Sequence, residues 1–224
     1  MSKAMEGRLM QIQLKADTKK LTKHLNFIQR QQVPFATSNA LNAVAFDART
    51  AIQTALPKKL DRPTKGLVKS VIVEKSKKKH LIARVGFAGK GFGSSAWSET
   101  PALIMARLIA GGTRKPKGRA ILIPVTKNIK LNTYGNLPRK KISTLLAKPK
   151  RYFSGKPKGR DAGVYERIKK KGKSGQLKML ASWEQSATYE SGKFNLSSIV
   201  SKTVAKKYTG RFNAALSKAL SSAK

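Results

Sequence analysis

Three short cationic segments hold the residues best placed to do chemistry in this sequence. They are "KPKGR" at residues 115–119, the same five letters at 156–160, and "KPKR" at 148–151 between them. Lysine and arginine heads offer charge and hydrogen-bond donors, so the chemistry open to such loops is the binding of anions, phosphate above all. Proline and glycine in each KPKGR unit oppose a helix or a central strand, and the cations must therefore project from exposed turns. The stretch 113–173 holds 20 basic residues and two acidic ones, Asp161 and Glu166, for a local charge of +18. A merely solvated surface would interleave compensating acids, and these are missing. The candidate contacts to nucleic acid or an acidic partner are Arg114, Lys115, Lys117, Arg119, Arg139, Lys140, Lys141, Lys148, Lys150, Arg151, Lys156, Lys158, Arg160, Lys169, Lys170, Lys171 and Lys173.

Other chemistries find no set of residues. Acid–base catalysis needs paired carboxylates or a histidine beside a carboxylate or nucleophile, whereas the ten acids are scattered singly and His24 and His80 lie far apart. Asp47 beside Arg49 and Asp61 beside Arg62 read as local ion pairs or caps. There is no cysteine, so neither a disulfide framework nor a cysteine-based zinc site is available, and no metal or cofactor is expected. "GFAGKGFGSS" is glycine-rich, but Arg84 stands where a phosphate loop needs its first glycine and Gly91 where it needs a hydroxyl; Gly91-Phe92-Gly93 is followed by Ala96 where the dinucleotide pattern needs glycine. Trp97, Trp183, Tyr134, Tyr152, Phe153 and Tyr165 lie near basic residues without the regular recurrence of a base-stacking platform. They read as core or interface aromatics.

Composition sets the class. The 224 residues carry 48 Lys and Arg against 10 Asp and Glu, a formal charge of +38, with 40% hydrophobic residues. Such a charge calls for a polyanionic partner, while the apolar fraction suffices for a folded core. The N-terminal segment lacks the apolar stretch of a signal peptide and no apolar run is long enough to cross a bilayer, so synthesis in a cytoplasm and no membrane partner are expected.

The elements that must position the loops follow from periodicity. Leu21, Leu25 and Ile28 predict a short helix capped by Asp17. After "QVP", the stripe Phe35, Leu41, Val44, Ala45, Ala48, Ile52, Ala55 and Leu56 predicts a long helix that Pro57 ends. Residues 67–74 and 81–87 read as a half-buried hairpin whose tip, "KSKKKH", is cationic. Thr100 and Pro101 open a third helix, with Leu103, Ile104, Leu108 and Ile109 apolar, and Gly111-Gly112 close it. Residues 120–125 read as a buried strand. A short helix begins at Pro138, with Ile142, Leu145 and Leu146 turned inward. The segment 176–189 permits a strand, and the stripe from Leu196 through Val200, Tyr208 and Phe212 to Ala219 is the strongest helical signal. The expected fold is α+β: a small, mostly antiparallel sheet packed by two long helices, formed by one domain over 1–224. A basic loop-rich insertion spans 113–173, a C-terminal helix spans 195–222, and Leu41, Ile52, Val85 and Phe87 lie in the core.

Several segments, taken in order, resemble the minor tail or tail-completion proteins of tailed bacteriophages and prophages: "QVPFATSNALNAVAFDARTAIQTALPKKLDRPT", "LIARVGF", "LIAGGTRKPKGRAILIPV", "IKLNTYGNLPRKKISTLLAKP" and "VSKTVAKKYTGRFNAALSKAL". Together they hold 100 of the 224 residues; the run 169–173 is richer in lysine than the resemblance leads one to expect. The resemblance implies a non-enzymatic virion component made in the host cytoplasm and placed at the tail or neck. It also implies a homo-oligomeric ring around a DNA channel, with tube, terminator and tape-measure proteins as neighbours and genomic double-stranded DNA held non-specifically. A ribosomal-type RNA binder is the alternative that would explain the charge.

Overall fold

The computed structural model describes residues 12–15, 27–89, 91–92, 100–116, 118, 120–170 and 173–221. The predicted helix around Leu21 and Leu25, Trp97, and residues 90 and 93–95 of the glycine-rich segment lie outside these. The chain forms two compact units, Met1–Ala110 with Ser191–Lys224, and Gly111–Glu190. The fold is α+β, as its periodicities require.

In unit 1 the longest element is α1, Phe27–Lys59. It runs through Pro34 and continues past Pro57, contrary to the expected stop. Each proline removes one N–H donor, but Val33, Ala36 and Thr37 beside Pro34 are all buried, and packing of that face outweighs one missing bond. Pro57 falls in the last turn, where Leu60 N still donates to Leu56 O at 2.9 Å. The predicted first strand instead opens as a helical turn, α2 (Lys65–Lys69), because Thr64 caps it by accepting from Leu67 N at 3.2 Å. β2 (Val71–Glu74) and β3 (Ile82–Phe87) then form the antiparallel hairpin. β1 (Ile12–Lys15), too short to stand out by periodicity, pairs with the other edge of β3, giving the order β1-β3-β2.

α3 (Thr100–Ala110) contributes Met105 to the core while Ile104 stays 38% exposed. α5 in chain order follows unit 2, and its range, Leu196–Ser221, matches the C-terminal stripe. Asn195 caps it, accepting from Ser198 N at 2.9 Å.

The core gathers Ala48, Ile52 and Leu56 of α1, Val71, Val85 and Phe87 of the sheet, and Phe194, Leu196 and Val200 at the start of α5. Leu41 and Ala45 pack towards Tyr208 further along α5, so the two long helices run antiparallel. Small alanines on α1 allow that close approach. The Phe87 and Phe194 rings meet edge to face, 6.5 Å between centroids.

Asp47 does not pair with Arg49, since residues two apart on a helix point to different sides. It receives Lys207 Nζ at 3.0 Å and Arg211 Nε at 3.0 Å from α5. Partial burial pushes its carboxyl up, but the hydrogen bonds and charges of Arg211 and Lys207 outweigh this and hold it below the ordinary carboxylate value. Asp61 does pair with Arg62, at 2.9 Å.

Unit 2 corrects the expectation of a loop-rich insertion. It contains β4 (Gly112–Arg114), β5 (Ile121–Pro124), α4 (Lys141–Leu146), β6 (Tyr152–Gly155), β7 (Gly163–Lys170), β8 (Lys173–Glu184) and β9 (Ala187–Tyr189). β4 pairs with β9, and the other four strands make an antiparallel sheet of order β5-β8-β7-β6. Lysine is disfavoured in strands, so "GVYERIKK" does not announce itself as one; pairing on both edges overrides that preference. Neither β5 nor α4 is as buried as predicted: Ile123 is 39% exposed, and no α4 residue is fully buried.

Val164, Tyr165, Leu180 and Ala181 fill the small core of this sheet. The register steps from Val164↔Ala181 to Tyr165↔Met179, leaving Leu180 as a bulge residue. Gly163 allows the close strand approach beside it, since a Cβ there would run into the carbonyl oxygen of Ala181.

Candidate nucleic-acid interface

The three cationic segments are placed by this sheet's register. Gly155 opposes Gly163, Gly163 opposes Ser182, and Ile121 opposes Glu184. The chain leading into Ile121 and the chain leaving Gly155 therefore emerge at one end of the sheet. The described residues of both KPKGR segments lie there, although 36 residues or more separate the segments in sequence. Towards the other end, β6 begins at Tyr152 opposite Glu166, and the β7–β8 hairpin overhangs to Lys170 opposite Lys173. "KPKR" and Lys169, Lys170 and Lys173 lie on that side. Seven steps along β7 from Gly163 to Lys170 measure roughly 23 Å at 3.3 Å each.

Local geometry makes the second KPKGR and KPKR turns. In the second KPKGR, Arg160 N donates to Pro157 O at 3.0 Å, and Gly159 takes φ 71°, the left-handed value that the third residue of such a turn favours. In KPKR, Arg151 N and Tyr152 N both donate to Lys148 O, at 3.0 and 2.9 Å. Lys115, Lys148, Lys150, Lys156 and Lys158 are exposed, as are Arg114, Arg139 and Lys140, and Lys141 is half-buried. Lys117, Arg119 and Lys171 lie outside the described residues, and for Lys169, Lys170 and Lys173 only the strand positions are described.

Two of the predicted contacts are engaged within the fold. Arg151 donates through Nε to Glu166 Oε1 at 2.8 Å, and this carboxylate holds its guanidinium above the ordinary value. Arg160 donates to Leu177 O at 2.9 Å. They shape the loops as well as charging them.

Tyr152, Phe153, Tyr165 and Trp183 have structural partners. Phe153 stacks on Tyr165, 5.6 Å between centroids, and Arg167 covers the Phe153 ring at 4.2 Å while donating to Pro149 O at 2.7 Å. Trp183 Nε1 donates to Ser154 Oγ at 3.0 Å. Arg167 was missing from the sequence reading, and only its alternation with Tyr165 along β7 could have suggested that it shares the Phe153 side.

The arrangement can bind extended anions without reading their sequence, since flexible ammonium heads follow charge rather than base edges. Among the described residues, no group of three or more histidine, aspartate or glutamate side chains could hold a metal ion. No helix there is long and apolar enough to cross a membrane. Comparison with family models, with curated proteins and with solved structures finds no match to this chain.

Proposed function

We propose that this chain is a non-enzymatic structural protein that binds duplex DNA through unit 2 without sequence readout. The observation that carries the reading is the convergence of both KPKGR segments on one end of the four-stranded sheet, with exposed lysines and few acids to neutralise them. Clustered cations on turns meet phosphates along a backbone and gain affinity by releasing its counterions.

The likeness of five ordered segments to phage minor tail and tail-completion proteins makes the tail or neck of a virion the proposed station. In a ring of subunits each loop would recur once per copy around the channel. Such a site must also release DNA, which suits phosphate contacts that salt weakens.

The test replaces Lys115, Lys117, Arg119, Lys156 and Lys158 with serine, sparing Arg160 for its bond to Leu177. With random-sequence duplex, the slope of log affinity against log salt should fall in magnitude by about 0.9 for each phosphate contact removed. Unfolding should stay unchanged. An unaltered slope removes unit 2 as the duplex site. Quantitative mass spectrometry across gradient fractions of the producing culture tests the station. A low, fixed copy number in tails or particles supports it; enrichment with ribosomes favours an RNA-binding role.

A further inference from the structure

Unit 1 carries a second cationic feature that the seventeen candidate residues do not include. The β2–β3 turn presents Lys77, Lys78 and Lys79, with Lys75 just before it, all exposed. Lys77 and His80 exchange two backbone hydrogen bonds at 2.9 Å, which leaves Lys78 and Lys79 as a two-residue hairpin loop. Such loops favour Asn-Gly or Asp-Gly for conformational reasons. Two lysines there answer no need of the backbone and set like charges side by side. Among the described residues none of these four lysines forms an ion pair, since Glu74 is taken by Arg84 at 3.4 Å.

The turn is also fixed in place. Buried Ser76 is clasped by α1: Asn42 Oδ1 accepts from Ser76 N at 2.7 Å and Asn42 Nδ2 donates to Ser76 O at 3.2 Å. Ser76 Oγ further donates to Ser38 O at 3.0 Å, and Ser38 Oγ donates to Ser76 O at 3.1 Å. A buried polar cluster of this kind rigidifies what it holds. It sets the lysines over two exposed phenylalanines of α1, Phe35 (39%) and Phe46 (38%). Lys78 Nζ lies 5.0 Å from the Phe35 centroid and Lys75 Nζ 5.6 Å from that of Phe46. Eleven residues are close to three helical turns, so both rings share one side of α1, about 16 Å apart.

We propose that this turn and the Phe35/Phe46 side of α1 form a binding site for single-stranded nucleic acid, with lysines on its phosphates and phenylalanines on its bases. A duplex would leave the rings without use, because its bases are already stacked. An acidic polypeptide would meet the charges but has no flat ring for every phenylalanine. Single strands use both features, and stacking on aromatic faces beside a cationic track is how sequence-tolerant binding of them is built. The site lies wholly in unit 1 and stands whether or not unit 2 binds duplex.

The experiment uses the full chain, an oligo(dT) strand and an abasic strand of equal length, with affinities read by fluorescence anisotropy over a range of salt. Lys77→Ser with Lys78→Ser and Lys79→Ser should weaken both strands and lower the oligo(dT) salt slope by about 2, at roughly 0.7 per phosphate contact. Phe35→Leu with Phe46→Leu should weaken oligo(dT) about tenfold or more and leave the abasic strand unchanged. Ultraviolet cross-links to oligo(dT), mapped on peptides, should fall on Phe35 or Phe46. Thermal unfolding of each variant keeps misfolding apart from lost binding. Equal loss on both strands in the phenylalanine variants, or cross-links confined to unit 2, overturns the proposal. So does polyglutamate displacing oligo(dT) as readily as the abasic strand does, because the occupant would then be an acidic protein.

Discussion

The two units hold themselves together in different ways. Gly111–Glu190 carries 21 basic and 4 acidic residues in 80, and the remaining 144 residues carry 27 and 6. Unit 1 buries a broad apolar cluster drawn from α1, α3, α5 and its sheet, so charges are confined to its surface. Unit 2 buries few residues, and much of its order comes from a strand bulge, two engaged arginines and a guanidinium over a ring. The denser charge sits on the thinner core. Repulsion among its loops works against folding there, and a bound polyanion would relieve it, which couples stability to binding more strongly in unit 2 than in unit 1.

The comparison breaks most visibly in the core of unit 1. Phe87→Ala removes a ring packed on Phe194 and should cost about 3–5 kcal/mol, read by denaturant unfolding and by hydrogen exchange of α1 and α5. Exchange within β7 and β8 should hardly change. If both units lose protection together, they are one cooperative body and the contrast is mistaken.

Gly163→Ala attacks unit 2 in the complementary way. The added methyl meets a backbone oxygen that cannot rotate aside, so a loss of about 1–3 kcal/mol is expected, confined to β7–β8 amides. Wild-type stability in this variant would show that the strands there have room to part.

Asp47→Asn sharpens the comparison with a smaller effect, about 1 kcal/mol at pH 7, because both of its partners are half-exposed. The folded-state pKa lies below the unfolded one. The stabilisation is therefore present above the ordinary carboxylate value near 4 and fades as pH falls through the lowered folded value. Unfolding of wild type and variant at pH 7 and pH 3 should converge at the lower pH. A gap that persists in acid would assign the effect to packing instead of charge.

Much of unit 1 was legible in the sequence, because helices and hairpins with one buried side write their period into the chain. The stripe from Leu196 to Ala219 and the alternation through Ala83, Val85 and Phe87 are local signals, and Leu41, Ile52, Val85 and Phe87 are indeed buried. Pro34 misled because a local penalty was outweighed by burial on either side. β7 was hidden because lysines occupy strand positions whose pairing, not their propensity, decides the conformation, and β6 because four residues are too few to show a period; β8 was legible only from residue 176 onward.

By itself the sequence determined the charge, the turn character of the second KPKGR and of KPKR, and the stripes that build the core, since each depends on residues close together in the chain. Only the tertiary structure decided that both KPKGR segments share one end of a sheet, that Asp47 answers to Lys207 and Arg211, and that Asn42 and Ser38 clasp the lysine turn. Each of these rests on contacts between segments distant in sequence, and register, packing and a bulge at Leu180 set such contacts where no local pattern records them.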